Sequence, residues 1–241
     1  VAVNMGWHFS FGVFTLLVVF VGVLVFIIFN RARGTMKWKN QGNNVWMMVT
    51  RFLSQRDSRT AIILNAFGSV FIMTFLSFLT LYLTQVNGLS VKTASLLLGL
   101  TAVVAIGAAP LFGWISDRLG RRKIVVIIYC LSSFISLSLP FTQGFPFLVA
   151  LCLGLGLSGV PIFPVLMSYF TESHPHHATT LGIGIYNSIG VGAGFVGTLF
   201  FGLVADLINL KAVYFGLGAL MIGGAVLALR LMKEHRSDRL C

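Results

Sequence analysis

The sequence predicts an all-α polytopic membrane protein with seven transmembrane helices. Three observations carry that prediction. Of the 241 residues, 57% are hydrophobic and only 10% charged, against about 25% charged in an ordinary soluble domain, so the composition calls for lipid as solvent. The apolar residues gather in seven runs, near 9–29, 61–85, 91–115, 122–141, 146–170, 179–205 and 211–231. Each approaches the roughly 20 residues that a helix needs to cross hydrocarbon. The runs are also continuous, which excludes barrel strands with their period of two, and a helix satisfies its own backbone hydrogen bonds in lipid.

Charge sets the direction of the spans. The net charge of +11 would suit a nucleic-acid binder only if the bases shared one polar face. Here they sit in connectors between apolar runs, so the bilayer is the expected partner and nucleic acid is not. With seven helices, one side receives Arg31, Arg33, Lys37, Lys39, Arg51, Arg56 and Arg59, then Arg118, Arg121, Arg122 and Lys123, then Arg230, Lys233, Arg236 and Arg239. Only Lys92 and Lys211 fall opposite. The positive-inside rule makes the richer side cytoplasmic, with the N-terminus outside and the C-terminus inside a cell membrane.

Taken in order, residues 1–30 form a single span that ends in Arg31 and is too long for the apolar core of a signal peptide. Residues 31–59 are a basic cytoplasmic connector. Within it Val45, Met48, Val49, Phe52 and Leu53 recur at helical spacing beside Trp46, the pattern of a short helix lying on the membrane surface. Residues 60–232 hold six further spans, and 233–241 a cytoplasmic tail. Cys130 and Cys152 lie inside apolar runs and Cys241 at the end, a spacing that fits no metal site and no disulfide framework.

The third run carries Thr101, Ala105, Ala109 and Gly113 at intervals of four, a small-residue ridge that lets a second helix approach. Pro110 is expected to bend that helix near its end. Asp117 follows where the chain leaves the membrane, placed to cap a helix N-terminus. Gly120 permits the tight return turn, and Arg121, Arg122 and Lys123 hold the turn inside. Gly113, Asp117, Arg118, Gly120, Arg121, Arg122 and Lys123 together fill the pattern G-x-x-x-D-[RK]-x-G-x-[RK]-[RK].

That pattern resembles the signature loop of the major facilitator superfamily. The family has two six-helix halves joined by a long cytoplasmic connector, with the signature after the second helix and a weaker copy after the eighth. One span, a long basic connector and six spans with the motif between the second and third resemble helix six, the central loop and helices seven to twelve. The resemblance implies a six-helix C-terminal half plus one preceding helix, an N-terminal half missing or encoded elsewhere, and a small-molecule solute as cargo. It also implies that the loop's charges pair with an acid on a neighbouring helix; the matching residue is Glu172, opposite Arg118 or Arg121. The family's basic residue after the next proline is absent, and His174, His176 and His177 stand in that loop.

Other motifs weaken on inspection. Gly154, Gly156 and Gly159 fit G-x-G-x-x-G, but inside a span with no preceding strand the phosphate reading fails. Gly156, Ser158 and Gly159 also resemble an intramembrane serine protease motif, which needs a histidine at membrane depth to activate the serine; none is present there. Helix packing is the better reading. Glu172 with the three histidines is a weak metal candidate on one loop, better read as solvated groups, and no metal or cofactor is expected.

No Asp, Glu, Lys, Arg or His occupies mid-span, so an intramembrane proton relay is not expected in this chain. Neutral polar residues remain to line a path. Asn65, Ser69, Thr80 and Thr84 share a face of the second run, and Thr180, Asn187, Gly194 and Thr198 one of the sixth. Tyr186, Gly190 and Gly194 offer small and polar surface to a neighbour. The resemblance makes Asn65, Ser69 and Thr80 candidates for the solute path, with Asn187 near the seam between halves; interhelical hydrogen bonding is the alternative for each. Pro161 and Pro164 are expected to kink the fifth run. The expected function is alternating-access transport with no reaction chemistry. The alternatives are a seven-helix sensor or receptor and a non-transporting scaffold half; a retinal protein would need a mid-membrane lysine in the last span, where Lys211 lies too near the end.

Overall fold

The computed structural model describes residues 54–172 and 179–232, with helical residues scattered between 15 and 27. The chain divides into two compact units, Val1–Asn44 and Val45–Cys241. In the first, the described residues are helical and expose large apolar side chains such as Leu16, Phe20 and Phe26, as a lipid-facing span does. The surface helix expected at 45–53, the histidine loop and the tail from 233 onward lie outside the described residues.

Among the described residues the second unit holds seven helices: α1 Arg56–Gln85, α2 Val91–Leu119, α3 Arg121–Ser138, α4 Phe145–Ser158, α5 Ile162–Glu172, α6 Thr179–Leu207 and α7 Leu210–Leu231. A 3-10 turn, Leu139–Phe141, extends α3, and α4 with α5 forms one crossing. Among the described residues six stretches are therefore long and apolar enough to span a membrane, and no strand occurs there. Asn209 Oδ1 accepts the Ala212 N–H at 2.8 Å to start α7, and Ser90 Oγ accepts that of Thr93 at 3.2 Å to start α2, each satisfying an orphan donor.

Two proline expectations come out differently. The fifth run is broken rather than kinked: α4 stops at Ser158 and α5 begins at Ile162. Pro161 has no N–H to continue the ladder, whereas Pro164, in the first turn of α5, costs no internal bond. Pro110 does not sit near a helix end, because α2 continues unbroken to Leu119. The bond it forfeits, to the Ile106 carbonyl, falls on an outward face where Ile106 is 76% exposed, so no core packing enforces an interruption.

The packing has an internal two-fold logic. Numbering the crossings of this unit one to six, the most extensive pairings are one with five (α1 on α6), two with four (α2 on α4) and three with six (α3 on α7). Adding three to each member maps this set onto itself, and crossing four runs opposite to crossing one. This is the relation of two inverted three-helix repeats.

Glycines allow the close approaches. A methyl on Gly156 would lie 2.5 Å from the Thr101 carbonyl of α2, and one on Gly154 3.0 Å from Ile135 of α3. On α6, a Cβ at Gly190 would collide with the Asn65 side-chain amide and approach Ser69 Oγ to 3.1 Å, one at Gly194 would collide with the Met73 sulfur, and one at Gly197 would reach Val70 at 2.5 Å. Thr74 and Thr198 join hydroxyls across the same seam at 3.1 Å. Association in lipid depends on such van der Waals contact and hydrogen bonding, since lipid supplies no hydrophobic drive between helices.

Among the described residues the ridge is covered at its start and open at its end. Thr101 and Ala105 are buried, Ala109 is half-buried, and a Cβ on Gly113 would meet nothing within 4 Å. At 3.6 residues per turn, each four-residue step drifts by about 40°, so Gly113 lies about 120° around from Thr101. Gly113 therefore makes no close helix contact with the described residues.

Candidate functional site

The signature stretch forms the end of the bundle where α2 turns into α3. One residue, Gly120, separates the two helices, at φ +95° and ψ 134°, a region essentially reserved for glycine. Its N–H still bonds the Ser116 carbonyl at 3.1 Å. Gly120→Ala is expected to lower stability by about 1–3 kcal/mol, measurable as an earlier melting transition in detergent.

That turn directs Arg121 back over the end of α2. Its guanidinium donates to both Glu172 oxygens, Nε to Oε2 at 2.7 Å and Nη2 to Oε1 at 2.6 Å. The same Nη2 lies 2.9 Å from Asp117 Oδ1, and Nη1 is 3.4 Å from Ser116 Oγ. One planar fork thus ties crossing two (Ser116, Asp117), crossing three and crossing four (Glu172), the geometry for which arginine is suited and lysine is not. The arginine side chain is 13% exposed, against 46% for Glu172 and 60% for Asp117. Exposed acids weaken such pairs to about 0.2–1 kcal/mol, and the bidentate fork on a sheltered arginine favours the upper end.

Of the two arginines weighed against Glu172, Arg121 makes the pair. Arg118 turns away and lies 3.9 Å over the Trp114 ring, one helical turn back. Asp117 does not cap a helix among the described residues. It lies inside the last turn of α2, where carbonyls rather than N–H groups are free, and its carboxylate goes to Arg121. Arg122 donates to the Leu229 carbonyl in the last turn of α7, covering an orphan acceptor there. Lys123 follows in the first turn of α3.

Sequence reasoning missed Ser116, the Arg122–Leu229 contact, and the link from the Tyr169 hydroxyl to Asp57 at 3.4 Å. Arg118 on Trp114 was readable from its spacing of four. The Leu229 contact joins residues 107 apart and leaves no local trace.

The residues considered for a solute path separate clearly. Asn65 is buried and donates to the Tyr186 carbonyl at 2.9 Å, and Ser69 is buried beside Gly190. Both therefore sit inside the α1–α6 seam with the packing residues Gly190 and Gly194. Thr80 is half-buried, its carbonyl accepting the Thr84 hydroxyl at 2.9 Å. Asn187 is exposed, as is its neighbour Ser188. Gly154, Gly156 and Gly159 are spent on helix contacts, so neither the nucleotide nor the protease motif forms a site. Glu172 is described, but His174, His176 and His177 lie outside the described residues.

Two crossings are much less covered than the rest. Only 22% of the apolar window of α2 and 17% of that of α6 are buried, against 44–56% for the other four. They occupy equivalent positions in the two repeats.

Comparison with known proteins agrees with this architecture. The chain is 32% identical over 164 residues to the inner membrane transport protein YnfM of Escherichia coli (strain K12), a match that covers 65% of this chain and 38% of that protein. The chain thus spans well under half the length of that relative. The profile of the Major Facilitator Superfamily matches residues 1–198 and again residues 61–240. With these matches, six crossings in two inverted repeats and a complete signature loop, the chain belongs to the major facilitator superfamily.

Proposed function

We propose that this chain is the C-terminal portion of a secondary transporter that carries a small organic solute across the bilayer by alternating access. An N-terminal half supplies the facing wall of the path. The observation that carries this reading is the paired exposure of α2 and α6, the two crossings that the family's plan sets against the other half. A related protein bears the name of a transport protein, and the signature end fits a device that biases one conformation over another. In this reading that end is cytoplasmic, residues 1–30 are the helix preceding the central loop, and no cofactor or reaction chemistry is required.

Within that scheme, Asn187 is the solute-path residue we favour, because its amide is exposed on a weakly covered crossing while Asn65 and Ser69 are engaged behind it. Thr80 remains a second-line candidate. Asn187→Ala is expected to raise the solute concentration for half-maximal uptake about fivefold, the equivalent of one hydrogen bond of roughly 1 kcal/mol. Direct measurement is uptake into vesicles against a metabolite panel, with this chain expressed alone and together with a five-span N-terminal half. Accumulation that requires both pieces supports the transporter; no accumulation of any solute by the pair favours a sensor or scaffold.

A further inference from the structure

Threonine hydroxyls in this bundle usually fold back onto the chain one turn earlier, and those of Ser133 and Ser136 donate across to the Gly218 and Tyr214 carbonyls of α7. Thr60, Thr84, Thr101, Thr142 and Thr198 each donate to the carbonyl four residues earlier, which removes a polar group from the apolar interior. Ser132 and Ser158 do not. Both residues are 0% exposed, and neither hydroxyl has a hydrogen-bond partner among the described residues.

The two serines come to one level. Crossings three and four run antiparallel, and a methyl on Gly154 would touch Ile135 at 3.0 Å. Ser158 lies four residues beyond Gly154, and Ser132 three residues before Ile135, so one turn away both helices present a hydroxyl. A methyl on Gly159 would lie 2.6 Å from Ile72, which places α1 on the third side. Ser132 is the twelfth residue of the 21 in its crossing, Arg121–Phe141, and Ser158 the fourteenth of 28 in Phe145–Glu172. Both stand near the middle, where polar groups find no help from solvent.

The break between α4 and α5 adds an acceptor at that depth. The Leu157 carbonyl would bond the N–H of residue 161 in a continuous helix, and residue 161 is proline. Gly159 N–H still reaches Leu155 at 2.7 Å and Phe163 N–H reaches Val160 at 3.2 Å, so the bonds resume on either side.

We propose that Ser132 and Ser158 hold a single water between them at the middle of the bundle, beside the break in crossing four. A water has the donors and acceptors that two hydroxyls in an apolar shell require. A metal cation does not suit the place: no acid lies in mid-crossing to offset its charge, and an uncompensated buried charge is far more unfavourable than a buried dipole.

Radiolytic hydroxyl-radical labelling tests this on the purified protein, because ordered water generates radicals in place even where bulk solvent is excluded. Ile128 and Leu155, each about one turn from a serine, are expected to label several-fold faster than Leu79 and Val213, which are equally buried at 0% exposure. Ser158→Ala and Ser132→Ala should each remove that excess. In melting curves the double variant should fall no further than the lower of the two singles, since either change releases the same water. Equal labelling of all four residues, labelling unchanged by the alanines, or additive melting shifts would each overturn the proposal.

Discussion

Under the proposed transport function, replacing Arg121 with glutamate is expected to remove more activity than any other single change at the signature end. The substitution places a third carboxylate between Asp117 and Glu172, which now approach Nη2 to 2.9 and 2.6 Å. It deletes the bidentate fork and replaces attraction by repulsion, a change of about 2 kcal/mol when hydrogen bonds to charged groups are discounted for the exposure of the acids. At 1.4 kcal/mol per factor of ten, the balance of conformations moves roughly thirtyfold. Arg121→Lys keeps the charge but loses the fork and should fall between. Initial uptake rates, with thiol labelling to report which side of the path is open, check both. Glu172→Arg combined with Arg121→Glu should recover part of the loss; no recovery at all would mean that charge complementarity between these positions is irrelevant.

The second large effect is structural. Gly156→Leu is expected to destabilise the bundle by at least 1–3 kcal/mol, the usual range for overpacking. Even the first added carbon would stand 2.5 Å from the Thr101 carbonyl and 2.9 Å from Val104 Cβ. The Thr101 carbonyl is backbone and has no rotamer to yield, so α2 and α4 must separate. For a unit of this size about 2–4 °C of melting temperature accompanies each kcal/mol, and the shift is read in detergent. Gly223→Ala is the control, because its nearest neighbour, Phe67, would lie at an ordinary 3.6 Å. It should leave the melting temperature unchanged or slightly raised.

Most of the fold was legible because lipid removes alternatives: a long apolar run has to be a helix. The last run, expected at 211–231, is Leu210–Leu231. The first run of the bundle was expected to start at 61 and starts at Arg56, since a helix continues into the headgroup zone where charge is tolerated. Pro161, expected to kink its run, interrupts it, whereas α2 runs on past Pro110 to Leu119; Pro161 is buried and Pro110 exposed, something composition does not encode. For the site, the sequence named both partners of the Arg121–Glu172 pair but not which arginine would serve. That choice follows from rotation around a helix end, where Trp114 lies one turn behind Arg118. Asn65 and Ser69 showed a polar face without showing what it meets, because the partner helix is far along the chain.

That distance bears on how the protein is made. Asn65 bonds the carbonyl of Tyr186, 121 residues later. At synthesis rates of about 5–20 residues per second, the first crossing of the bundle enters the bilayer on the order of 10 s before its partner exists. Through that interval a buried asparagine must be kept from lipid by some other acceptor, in the insertion machinery or in the helices already released. Chains truncated before residue 186 should therefore be held by that machinery or degraded, while chains extending just beyond α6 escape it.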